Sequence, residues 1–126
     1  TATEKLVSLI RHSLSADYIS ELKAKIRHFY DLHFLWNDPE SRAYLESAEF
    51  KTDFKALISS DQARFKDPEG WCEKKVSDSP LVYSFDKVWS ELQETYSKEL
   101  PELAYQTIPS PESVAESFKE LSVLLK

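Results

Sequence analysis

Glycine and cysteine each occur only once in the 126 residues, and methionine does not occur at all. Hairpins and β-bulges use glycine for backbone conformations with positive φ, so a single glycine disfavours a β-rich fold. It also excludes a glycine-rich loop that cradles phosphate groups. The single Cys72 excludes an intrachain disulfide bond and suits a reducing compartment. The sequence shows no signal peptide and no apolar run long enough to cross a membrane, so the predicted location is cytoplasmic.

The charge balance is acidic, because 16 basic and 22 acidic side chains give a formal net charge of −6. A domain with this charge is unsuited to bind nucleic acid through a broad basic face, although a local basic site remains compatible with it. Seven Phe, six Tyr and three Trp residues supply the buried area that one domain of this length needs for its core. The composition therefore predicts a single globular domain.

Apolar residues recur every three to four positions along most of the chain, a pattern typical of amphipathic helices. The sequence therefore predicts an all-α fold, a single helical bundle of about six to seven helices with one long irregular segment at about residues 60–83. A capping residue followed by proline marks two helix starts, at Asp38-Pro39 and at Ser110-Pro111. The predicted helices cover residues 3–13, 17–36, 39–47, 48–59, 84–100, a shorter piece at 101–105, and a last helix that starts at 111.

The irregular segment contains two turn-like sequences, Asp-Pro-Glu-Gly from residue 67 and Asp-Ser-Pro from residue 78. A short helix at residues 61–65 would shorten it. Long loops without regular structure are uncommon in compact domains unless they are functional. Four apolar side chains could hold the segment against the helices: Phe65, Trp71, Val82 and Tyr83.

Asp31 stands inside an otherwise apolar stretch of the predicted second helix, Phe-Tyr-Asp-Leu-His-Phe-Leu. A carboxylate in such surroundings needs a partner, and Arg27, one helical turn earlier, can supply it. Lys5 lies on the polar face of the first helix. If the two helices bring Lys5 to Asp31, two cations beside one carboxylate would suit a phosphate next to an acid that helps to hold a metal ion. From the residues alone, an ion pair that bridges two helices is the favoured interpretation.

Other chemical motifs are missing from the sequence, which has no HExxH, no pair of CxxC and no nucleophile elbow. His28 lies three residues before Asp31, a spacing that can join two metal ligands, whereas His33 points elsewhere. A zinc site needs three or four ligands, and the sequence does not assemble them. Both histidines are therefore interpreted as surface or partly packed residues, and no metal ligand is predicted in this chain.

The sequence begins with Thr1 rather than methionine, and its first helix is predicted to start almost at once. Both features lead to the expectation that the chain is the helical piece of a longer protein. Further chemistry would then lie in a preceding part.

Two motifs resemble those of a known family. Thr3-Glu4-Lys5-Leu6 at a helix start, followed by Arg27-His-Phe-Tyr-Asp31-Leu, is similar to the C-terminal half of the AbiEii/AbiGii bacterial nucleotidyltransferase toxins. Lys5 and Asp31, 26 positions apart, match the third and fourth conserved motifs of that family, and Arg27 matches the basic residue that opens the fourth. The motif-bearing part covers residues 3–36, and the rest resembles the family's tail only in its aromatic-rich helices and proline breaks. The family's Gly-Ser turn and metal-binding aspartates have no counterpart here.

The resemblance implies a preceding domain of nucleotidyltransferase fold and a metal-dependent transfer of a nucleotide from a nucleoside triphosphate to RNA, in some members the end of a transfer RNA. It also implies an antitoxin protein as a partner. Lys5 and Asp31 are the implied catalytic residues, with Lys5 holding a phosphate and Asp31 ordering the site, and Arg27 is the implied substrate-binding residue. Mg²⁺ or Mn²⁺ and the triphosphate would bind to the full-length protein, so this chain alone is expected to be inactive.

The alternative hypothesis is a non-catalytic helical module that binds other proteins. On this interpretation the abundant aromatic residues and the irregular segment at 60–83 serve partner binding. This alternative predicts an exposed apolar groove and no cluster of Lys5 with Asp31, whereas the transferase hypothesis predicts that both side chains lie exposed on one side of the bundle.

Overall fold

A computed structural model describes residues 1–103 and 108–126, and this part of the chain is all-helical, as predicted. It contains eight α-helices and three short 3₁₀ helices, and no β-strand occurs in the described residues. The α-helices are α1 (Ala2–Ser13), α2 (Tyr18–Ala24), α3 (Ile26–Asn37), α4 (Pro39–Leu45), α5 (Ala48–Arg64), α6 (Pro80–Tyr83), α7 (Phe85–Leu103) and α8 (Pro111–Ser122). The 3₁₀ helices cover Trp71–Glu73, Val76–Asp78 and Val123–Leu125.

The predicted caps set the starts of two helices. The side chain of Asp38 accepts a hydrogen bond from the backbone N–H of Ser41 at 3.0 Å and so caps α4. Ser110 caps α8 in the same way, and a proline occupies the first turn of both helices. Each cap pairs a backbone N–H that has no partner within its helix.

The predicted helix at residues 17–36 is in fact two helices, α2 and α3, which meet at Lys25. The backbone of Lys25 leaves the helical region, with φ −109° and ψ 18°, and its N–H bonds to the carbonyl of Leu22 at 3.0 Å. Both helices pack against α1 and α7, and α3 also packs against α4 and α8. No glycine or proline marks this position, so the apolar pattern continues across it without a signal.

The irregular segment is shorter than predicted. Helix α5 continues to Arg64, so the separate short helix expected at residues 61–65 is the last turn of α5. Helix α6 begins at Pro80, and the remaining part, residues 65–79, is called the 65–79 segment below. It includes two 3₁₀ helices. Trp71 anchors the segment to the core, because its side chain is fully buried and its Nε1 donates to the backbone oxygen of Phe65 at 2.9 Å. Tyr83 does not hold this region, because its side chain is 67% exposed.

Helix α7 continues past Pro101 to Leu103, so the prediction of a new helix at residue 101 is wrong over this stretch. The predicted end of that piece, at Tyr105, lies outside the described residues.

Helix α3 lies at the centre of the bundle and packs against α1, α4, α7 and α8. Phe29 in its middle contacts three aromatic rings, with centroids 5.2 Å from Phe118, 5.4 Å from Trp89 and 6.5 Å from Phe85. Aromatic pairs in this range add to the stabilisation from burial.

Across residues 1–103 and 108–126, none of the helices combines the length and the apolar character required to cross a membrane.

Candidate functional site

Helices α1 and α3 face each other through their apolar stripes. Leu6 and Ile10 of α1 are fully buried, and Phe29 and Leu32 of α3 are almost fully buried. The burial of each such side chain stabilises the fold by about 1.5–3 kcal/mol. This packing fixes the edge where the polar face of α1 meets the outer face of α3, and Lys5 lies at that edge.

The structure brings the three predicted site residues together. Lys5 Nζ lies 4.0 Å from Asp31 Oδ2, and Arg27 Nε lies 3.8 Å from Asp31 Oδ1. The side chains of Lys5 and Asp31 are 26% and 28% exposed, and that of Arg27 is 58% exposed. A ligand can therefore reach this cluster from solvent.

The cations of this cluster are held loosely. Both distances to Asp31 exceed the usual N–H···O range of about 2.7–3.2 Å, so the contacts are ion pairs without hydrogen bonds. Exposed ion pairs typically contribute about 0–1 kcal/mol to stability, which is less than a single buried leucine of the α1–α3 contact. We therefore expect the cluster to contribute little to folding stability, which leaves its cations available to bind an anion.

His28 lies next to the cluster, although the sequence alone gave it no role. It is half-buried, and burial lowers the pKa of its imidazole, with Lys25 and Lys5 lowering it further and Asp31 opposing them. His28 is therefore neutral near pH 7 and adds no charge to the site. Its spacing of three residues from Asp31, one helical turn, is the sequence signal for this position.

His12 and His33 serve contacts between helices. His12 Nδ1 lies 2.8 Å from Glu21 Oε1, which links α1 to α2, and the pKa of Glu21 is lowered mainly by its hydrogen bond with Ser15. His33 Nδ1 lies 2.8 Å from Ser117 Oγ and links α3 to α8. His33 is thus a partly packed residue, as predicted.

A second surface feature is an open groove between α1, α4 and α5. Its volume is about 1190 Å³. Tyr44 lies in this groove and donates from Oη to Asp53 Oδ2 at 2.6 Å, and burial, together with Asp53, raises the pKa of the phenol. Leu35 and Leu57 give the lining an apolar part, and Glu4 gives it a charged part.

Within the described residues, no three or more His, Cys, Asp or Glu side chains are grouped so that they could hold a metal ion. A metal-dependent reaction at Lys5 and Asp31 would therefore need metal ligands from outside this part of the chain. No family model, curated protein or solved structure matches this chain. The site is accordingly interpreted from its geometry and from the two motifs.

Proposed function

We propose that this chain is the helical C-terminal domain of a metal-dependent nucleotidyltransferase toxin of a toxin–antitoxin system. The observation that carries the proposal is the accessible cluster of Lys5, Arg27 and Asp31 at the edge between α1 and α3. The same three residues carry the resemblance to the AbiEii/AbiGii family. The proposed transfer is from a nucleoside triphosphate to RNA, such as the end of a transfer RNA.

In the proposed reaction, a hydroxyl oxygen of the acceptor attacks the α-phosphorus of the triphosphate. A new P–O bond forms, the bond to the bridging oxygen breaks, and pyrophosphate and a proton leave. The enzyme's share of such a transfer is mostly positioning and charge stabilisation. Mg²⁺ or Mn²⁺ would supply charge neutralisation from ligands on a nucleotidyltransferase-fold domain, because the described residues offer no suitable ligand group.

The residues of this chain would supply a cation and an acid to a site shared with that domain. The ammonium group of Lys5 would bind a phosphate of the triphosphate. Asp31 would orient Lys5 or the acceptor hydroxyl, and the guanidinium of Arg27 would hold Asp31 in place or contact a phosphate. The long distances in both ion pairs support this assignment. Lys5 or Arg27 can bind an incoming phosphate without first breaking a hydrogen bond to Asp31.

The decisive experiment uses the full-length protein with radiolabelled nucleoside triphosphates, Mg²⁺ or Mn²⁺, and total cellular RNA. Lys5→Ala and Asp31→Ala should each abolish the labelling of RNA. A matched control is Lys119→Ala, which removes a lysine from another lysine–aspartate pair, with Nζ 2.6 Å from Asp86 Oδ1. If the Lys5 and Asp31 variants label RNA at the wild-type rate, the site assignment is wrong.

The second candidate function is a non-catalytic module that binds another protein, and the groove between α1, α4 and α5 favours it. An antitoxin encoded beside the gene would be the partner to test. Ala56→Arg places a charged chain in the groove, and Ala63→Arg places one on the same helix outside the groove lining. If only Ala56→Arg breaks the complex while RNA labelling is absent from the wild type, this second function is favoured.

A further inference from the structure

Helix α3 carries an exposed aromatic cluster beside the charged one. Phe34 is 50% exposed, with its ring centroid 4.9 Å from that of Tyr30 and 5.4 Å from that of His33. Both neighbours meet Phe34 at steep interplanar angles, 65° and 79°, so their edges flank it. This arrangement leaves a supported aromatic ring that is open to solvent.

The aromatic and charged clusters share one face of α3. At 3.6 residues per turn, Arg27, Tyr30, Asp31 and Phe34 fall within about 100° of the helix circumference. Asp31 precedes Phe34 by one turn, and Arg27 precedes it by two. A ligand that lies along this face therefore meets the ring first, then the carboxylate, and then the guanidinium.

The charge of this face complements a nucleic-acid strand. Arg27 lies on this face of α3, Lys5 approaches it from α1, and Lys25 lies just before the start of α3. Asp31 is the sole acidic residue among positions 22–37, although the chain has a net charge of −6. Local basic character in an acidic chain suits a small number of phosphate contacts rather than a broad duplex-binding surface.

A protein partner fits this face poorly. A stable protein interface needs about 800 Å² on each partner with an apolar centre. Here the ring of Tyr30 is the apolar neighbour of Phe34 one turn before it, and Asp31 and Asn37, three residues away on either side, are polar. An exposed aromatic ring beside cations is instead typical of sites that bind unpaired bases. The base stacks on the face of the ring, and the cations bind the phosphates of the nucleic-acid backbone.

We propose that Phe34, supported by Tyr30, stacks on an unpaired base of the RNA acceptor while Arg27 binds a phosphate of the same strand. The ribose of the stacked nucleotide then lies beside Asp31, which brings an acceptor hydroxyl to the proposed site. This inference rests on the proposed function for its assignment of Asp31. It narrows the acceptor to RNA with an unpaired nucleotide.

The test measures binding by this chain alone, without metal or triphosphate. A fluorescent single-stranded RNA of about eight nucleotides, a length within the usual range for such sites, is compared with a blunt duplex of the same sequence. The single strand should bind and the duplex should bind far more weakly. A 2-aminopurine base placed in the single strand should lose fluorescence when it stacks on the protein.

Phe34→Ala and Phe34→Leu should each weaken RNA binding by about five- to a hundredfold, the effect of losing one base–aromatic stack. Phe34→Trp should retain binding because it keeps a π-face. The matched control is Tyr83→Ala, which removes another exposed aromatic side chain, 67% exposed, at the end of α6. Arg27→Ala should weaken binding to all sequences and reduce the salt-dependence slope by about 0.7, the loss of one phosphate contact.

Wild-type affinity in both Phe34→Ala and Phe34→Leu overturns the proposal, as does equal binding of the duplex. If the face instead binds a second copy of the chain, sedimentation should show a dimer that Phe34→Ala dissociates, with RNA affinity unchanged, and this also overturns it. The outcome is separate from that of the proposed function. If the wild-type full-length protein binds RNA but transfers no nucleotide to it, the proposed function is contradicted. If it does transfer a nucleotide and Phe34→Ala keeps wild-type RNA affinity, the stacking site is contradicted.

Discussion

The pair of Lys5 and Asp31 should contribute little to folding, and a double-mutant cycle can measure this. Lys5 Nζ lies 4.0 Å from Asp31 Oδ2, and the two side chains are 26% and 28% exposed. Two unit charges at this separation attract by about 1 kcal/mol in bulk water and by about 4 kcal/mol at the effective dielectric near a protein surface. Desolvation and lost side-chain freedom offset most of this attraction, and exposed pairs usually measure about 0.2–1 kcal/mol. We expect a coupling energy of about 0.5 kcal/mol.

The cycle compares the wild type with Lys5→Met, Asp31→Asn and the double variant by urea denaturation at low and high salt. A control cycle on Lys119 and Asp86, whose charged atoms lie 2.6 Å apart, should give a value of similar size because those side chains are 44% and 80% exposed. A coupling energy of about 3–5 kcal/mol for Lys5 and Asp31, the cost of breaking a buried ion pair, would refute the reasoning. The two residues would then be a structural bridge, and the loose cluster would no longer support a phosphate-binding site.

Three further predictions concern Arg11, His33 and the activity of the chain alone. Arg11 donates from Nε to the backbone oxygen of Asp67 at 2.7 Å and lies over the ring of Phe65. Arg11→Ala should therefore lower the free energy of unfolding, measured by urea denaturation, by about 2–3 kcal/mol. If this variant leaves the rate of proteolysis in the 65–79 segment unchanged, Arg11 does not hold that segment. Burial lowers the pKa of His33, so its contribution to stability is complete above its unfolded pKa and is lost as the pH falls through its folded pKa. His33→Gln should therefore flatten the decrease of Tm with falling pH, and an unchanged pH profile would disprove this. The chain alone should label no RNA with Mg²⁺ or Mn²⁺, and any labelling would show that it is catalytically complete.

Much of the candidate site could be predicted because its key signal is local. Asp31 stands out as one acid in an apolar stretch, and Arg27 lies one turn before it, so their pairing follows from helix geometry alone. The approach of Lys5 depends on α1 packing against α3, which is a tertiary contact. The apolar stripe of α1 predicts that this helix packs, but it does not specify the neighbouring helix.

The features that sequence could not predict depend on competition between tertiary contacts. Lys25 interrupts the helix without a proline or glycine; α2 and α3 both pack against α1 and α7, and α3 also packs against α4 and α8. Helix α7 continues past Pro101 to Leu103, although a proline inside a helix usually bends or ends it. His28 was missed for a related reason: its half-burial and its closeness to Lys5 arise only once α1 and α3 have docked.

Helix α3 has core residues on one side and site residues on the other, and this has a consequence for evolution and engineering. Phe29 and Asp31 belong to the same rigid helix, so a change in the core that shifts or rotates α3 also moves Asp31. A larger or smaller residue at Phe29, although it touches no ligand, is expected to change the site by tilting the shared axis. Selection for a stable interior and selection for a working surface therefore act on the same 12 residues of α3, and neither can drift independently of the other.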